Sequence, residues 1–164
     1  MAGAALVAGL IVLAPLARGA GWAALSWVLY RAFGVACHQM PERAFHVAGH
    51  PLAVCARCWG LYAGALAGLL AYPLARSLAR TDAPWRGWLL LAAVPTSIDF
   101  LLGVTGLWEN THASRFWTAL PLGAAAAFYI SPAVIELSLS ATLRSPRGGR
   151  AAAGRGPARA ARAG

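Results

Sequence analysis

Long apolar runs, broken by short polar stretches, dominate this chain and decide what it can fold into. Residues 3–17 (GAALVAGLIVLAPLA), 54–75 (VCARCWGLYAGALAGLLAYPLA), 87–107 and 116–140 are such runs. A helix that crosses a bilayer needs about 20 mostly apolar residues, so four spans need about 80. A chain of 164 residues supplies them. Composition agrees: hydrophobic residues make up 59% and charged residues 12%, where a soluble domain carries about 45–50% and about 25%. An ordinary soluble enzyme and a disordered chain are both excluded. The expected fold is all-α, a polytopic transmembrane helical bundle of about four spans plus a short N-terminal interfacial helix.

The first run lacks a positive charge before Arg18, so it reads as an uncleaved span rather than a secretory signal. Residues 20–34, with Trp22, Trp27, Tyr30 and Phe33, suit the headgroup level as an interfacial helix, or else continue the first span. In the second run Gly60, Gly64 and Gly68 recur every fourth residue, a spacing that lines one helix face and admits a neighbouring backbone. The transmembrane domain is expected over 1–143. Residues 144–164 hold six arginines and no acid and are expected to be a disordered cytoplasmic tail that meets anionic lipid headgroups. Without that tail the net charge of +9 falls to +3, eight arginines against five acids. The arginines of the 76–86 loop and of the tail place both inside. Segment 35–58 then lies outside.

The chemistry concentrates in that segment. Cys37 is followed by His38, and Cys55 and Cys58 form a Cys-x-x-Cys where the second run begins. Cysteines three apart share a helix face. Three thiols and an imidazole are a ligand set for tetrahedral zinc, with His46 and His50 as alternative fourth ligands. The same Cys-x-x-Cys suits a thiol–disulfide pair, and buried cysteines also serve packing alone. Asp99 is the acid well inside a span, where a charge calls for a partner. Arg115, Arg57 and Arg43 are the candidates, and the pair holds helices together or carries protons, ions or substrate. Gln39, Glu42, Arg43, Arg57, Asp99 and Arg115 form the supporting polar shell; Glu109, Asn110 and His112 complete the polar set at that end.

Two stretches carry a resemblance: Cys37-His38-Gln39-Met40-Pro41-Glu42-Arg43-Ala44-Phe45, and Val54-Cys55-Ala56-Arg57-Cys58-Trp59-Gly60-Leu61-Tyr62-Ala63-Gly64. Together they resemble the signature of a family of small predicted bacterial membrane proteins classed as a domain of unknown function. Asp99 and Arg115-Phe116-Trp117-Thr118-Ala119 are similar to that family's later acid and Arg-x-x-Thr-Gly element. Ala44 and Ala119 stand where serine and glycine are usual. The likeness covers roughly residues 30–130 and implies a multi-span protein of the bacterial inner membrane, without an activity.

The expectation is therefore an integral membrane protein with an outward-facing metal site, zinc foremost, held by Cys37, His38, Cys55 and Cys58. A membrane thiol–disulfide oxidoreductase using Cys55 and Cys58 is the first alternative, and a small transporter component using Asp99 the second. A homo-oligomer is compatible with either. Nucleic acid is not expected, because no basic patch with interleaved aromatics lies in a soluble fold.

Overall fold

The apolar runs fold into helices whose lengths follow the bilayer. The computed structural model describes residues 2–75 and 84–144. In chain order they form α1 (Ala2–Gly19), α2 (Ala23–Gly34), a 3-10 turn (Pro41–Arg43), a hairpin of β1 (His46–Val47) and β2 (His50–Pro51), then α3 (Ala56–Ala75), α4 (Gly87–Val104) and α5 (His112–Arg144). Helices α1, α3 and α4 and residues 112–134 of α5 are long and apolar enough to cross a membrane. At 1.5 Å per residue α3 covers about 30 Å, the thickness of a hydrocarbon core. Helix α2, with 12 residues, reaches only about 18 Å.

Residues 20–34 therefore do not continue the first span. Gly21, at φ +82°, turns the chain, and the Trp22 amide donates to the Ala17 carbonyl at 2.8 Å. Helix α2 then runs back along α1. The Ser26 hydroxyl donates to the Ala14 carbonyl at 3.0 Å, and Leu29 packs on Ala14 and Ala53. Further along, Phe33 reaches the cluster of Ile11, Cys37, Leu52 and Val54, which Trp59 and Tyr62 also touch. The middle of α1 thus stands level with the start of α3.

Helices α3 and α5 make the closest contact in the bundle. Gly60 faces the backbone of Phe116, Gly64 that of Leu120, and Gly68 that of Ala124. Both series rise together, so the two helices run parallel, with α4 returning the chain between them. From the other side Gly123 meets the Leu61 backbone. Small residues permit this approach, and in lipid it is van der Waals packing rather than hydrophobic burial that holds helices together.

Helix α4 buries one residue, Asp99. Its Leu90, Leu91, Val94, Ile98 and Leu101 are exposed. In water such a surface would drive aggregation; here it is the wall that meets acyl chains. The start of α3, the end of α4 and the start of α5 share one end of the bundle with the 35–55 segment. The arginine-rich tail lies, past Arg144, outside the described residues, as do Arg76, Arg80 and Asp82 of the loop after α3.

Candidate metal centre

The segment between α2 and α3 is folded by local backbone chemistry that brings its two ends together. After α2 the Cys37 amide still donates to the Phe33 carbonyl, at 3.0 Å. Gln39 then takes a left-handed backbone, φ +51°. Its side-chain amide donates to the Tyr30 and Ala53 carbonyls, each at 2.7 Å. One amide group with two hydrogens thereby pins the end of α2 to the strand that leads into Cys55. Beyond the Pro41–Arg43 turn the hairpin reverses through Ala48 and Gly49, both at positive φ, as a two-residue turn of the primed type demands. The Tyr30 hydroxyl donates to the Pro51 carbonyl. Leu52, Ala53 and Val54 are buried and carry the returning chain to the level of Cys37.

The sulfurs of Cys37, Cys55 and Cys58 lie within 4.8 Å of one another, and all three thiols are free. Cys37 is buried; Cys55 and Cys58 are half-buried. The Cys55 amide donates to the Cys37 sulfur at 3.3 Å, tying loop to helix. Hydrogen bonding from the Cys58 thiol lowers the Cys55 thiol below its ordinary range. The backbone amides of Cys58 and Arg57 and the Cys37 thiol act the same way, against burial, which opposes them. A low-lying thiol is one that offers a thiolate, the form that binds metals and attacks electrophiles.

Three thiolates around one tetrahedral zinc, bonded at about 2.3 Å, stand about 3.8 Å apart. The sulfurs come within about an ångström of that without any backbone rearrangement, so the donor set fits a soft, tetrahedral ion. His38 lines the same cavity but is exposed, and its ring nitrogens stand outside the sulfur group. His46 and His50 belong to the hairpin, His50 beside Gly19, and they too stand outside it.

Around the sulfurs a cavity of about 670 Å³ opens, which Gln39, Arg43, Arg57, Glu109, Asn110 and Arg115 also line. Of the three candidate partners for Asp99 the structure selects Arg57. A guanidinium nitrogen meets the carboxylate at 2.5 Å, with the Asp99 side chain only 6% exposed. The pair joins α3 to α4. Arg57 also lies 5.5 Å from the Phe100 ring centre, and the Asn110 amide donates to the Asp99 backbone carbonyl. Glu42 is exposed, and its backbone carbonyl stands 3.1 Å from His112 Nε2. His112 also packs on Phe45, so it serves the loop rather than the sulfurs.

Sequence reasoning missed Tyr30 and Phe100. Tyr30 was legible only as an interfacial aromatic. Phe100 follows Asp99 directly, and that adjacency was the available sign.

Comparison with known proteins converges on the same region. Residues 37–129 match the family described as predicted membrane protein, DUF2085. An uncharacterized protein of Methanocaldococcus jannaschii is 38% identical over 116 residues, covering 71% of this chain and 74% of its own. An uncharacterized protein of Methanothermobacter thermautotrophicus is 40% identical over 91 residues, 56% of this chain and 80% of its own. Both relatives are archaeal, whereas the resemblance in the sequence pointed to bacterial proteins. No solved structure matches. The matched segment begins at Cys37 and contains all three thiols, the Arg57–Asp99 pair and Arg115, and on that match the chain belongs to the DUF2085 family of predicted membrane proteins.

Proposed function

We propose that this protein is a multi-pass membrane metalloprotein in which Cys37, Cys55 and Cys58 hold zinc at the outward end of the bundle. The observation that carries the reading is the convergence of three free sulfurs, from two segments 18 residues apart, within 4.8 Å. Sulfur donors select soft ions over magnesium or calcium. His38, adjacent to Cys37 and on the cavity wall, is the protein side chain that would serve as the fourth ligand. If that position stays open instead, a bound zinc supplies Lewis acidity to whatever enters the cavity. The chain's own contribution is to fix the thiols through Gln39 and the hairpin, and to set cationic groups around them.

The outward placement rests on the arginines of the 76–86 loop and the tail, which favour the cytoplasmic side. The tail's role at anionic lipid belongs to the same reading. Asp99, paired with Arg57, is assigned here to holding α3 and α4 together rather than to transport.

The test is the metal content of protein purified in detergent without chelator. Wild type should carry close to one zinc per chain, and Cys55→Ser should lose most of it. Equal and negligible metal in both ends the proposal. A Cys55–Cys58 disulfide trapped in cells, with no metal, would transfer the assignment to the thiol–disulfide alternative.

A further inference from the structure

The cavity also gathers three guanidinium groups, more than its carboxylates pair with directly. Arg43, Arg57 and Arg115 reach it from three separate segments: the 3-10 turn, the first turn of α3 and the first turn of α5. Asp99 answers Arg57. Among the described residues neither Arg43 nor Arg115 has a carboxylate partner. Glu109, the other acid on the wall, is exposed and screened by water. Guanidinium groups that share a cleft without carboxylates on them leave their N–H pairs available to an anion that enters it.

We propose that this cavity binds an oxyanion of the phosphate class, held by Arg43 and Arg115. Guanidinium groups match phosphate oxygens in charge and in the spacing of their N–H pairs. Two forked guanidinium groups from separate segments can engage three or more oxygens, which suits a tetrahedral anion better than a planar carboxylate, which presents two. The cavity exceeds a single oxyanion and falls in the about 300–1,000 Å³ range of small-molecule sites. Its α4 side is apolar, through Phe100, Val104 and the following Trp108. A phosphorylated organic molecule, either soluble or a lipid headgroup, therefore fits better than free phosphate alone. The proposal goes beyond the metal reading and does not depend on it.

Thermal unfolding of the full chain in an uncharged detergent tests it, with inorganic phosphate, phosphatidic acid in mixed micelles, and acetate as three separate additions. Phosphate or phosphatidic acid should raise the unfolding temperature in a saturable way, and acetate should not. Arg43→Gln and Arg115→Gln should each weaken the effect about tenfold or more, the loss of one charge-assisted hydrogen-bonding group. Arg43 lies on an exposed turn, so its variant carries the test if Arg115→Gln fails to fold. A response to free phosphate assigns a soluble ligand, and a response to phosphatidic acid alone assigns a headgroup. No response to either probe, an equal response to acetate, or unchanged affinity in Arg43→Gln overturns the proposal. Repeating each titration after chelation separates the two readings. Binding that vanishes with the metal belongs to the metal and also overturns an arginine-held anion.

Discussion

Replacing Gly64 by alanine puts a methyl group into the tightest part of the α3–α5 contact. That methyl would lie at or inside 3.0 Å from three backbone atoms, Leu120 O, Leu120 C and Ala124 N, where ordinary contact begins at 3.4 Å. Backbone atoms inside a helix cannot rotate away, so the helices must part. Parting them also loosens the flanking approaches at Gly60, Gly68 and Gly123. Overpacking of this kind costs about 1–3 kcal/mol. Gly9→Ala is the internal control, because nothing lies within 4 Å of the methyl it would add. There the better helix propensity of alanine predicts a gain of up to about 1 kcal/mol. Reversible unfolding in mixed detergent micelles, followed by circular dichroism, measures both. Opposite signs for the two variants are expected. Equal stability of Gly64→Ala and wild type would show that α3 and α5 do not meet as described.

Three further outcomes follow from the geometry. Gln39→Ala removes the donor to two inward carbonyls and should destabilise the protein by about 1–3 kcal/mol. It should also lower metal occupancy, read by elemental analysis, because Gln39 holds Cys37 to the Cys55 strand. Asp99→Asn leaves Arg57 without its counter-charge and should cost about 1–3 kcal/mol, less than a fully buried pair would because Arg57 is partly exposed. In a double-mutant cycle with Arg57→Gln the two losses should be far from additive; additive losses would refute the pair. Ala48→Cys on the exposed hairpin turn should react with a membrane-impermeant maleimide in intact cells, above the wild-type background. Labelling only after permeabilisation would reverse the assigned orientation.

Much of the fold was readable before any coordinates, because apolar run length fixes which segments can span. The glycines at 60, 64 and 68 were readable as one face, but not their partner. That the face meets α5 in parallel depends on α4 packing loosely beside them, a tertiary outcome that no local period encodes. Residues 20–34 left two options open, and Gly21 decided between them by turning the chain. In the site, the Cys-x-x-Cys spacing announced a shared helix face for Cys55 and Cys58. The place of Cys37 depends on contacts 9 and 14 residues from Gln39, which sequence separation hides. The choice of Arg57 among three arginines for Asp99 was hidden for the same reason. So was the position of His38, beside Cys37 in sequence yet outside the sulfur group.

The central claim is that three sulfurs bind one metal ion, and X-ray absorption at the zinc edge on protein purified without chelator tests it most directly. The account predicts a shell of three sulfurs at about 2.3 Å, reduced in Cys37→Ser and in Cys58→Ser. A shell of nitrogen and oxygen alone, or a sulfur shell unchanged when those cysteines are replaced, would contradict it.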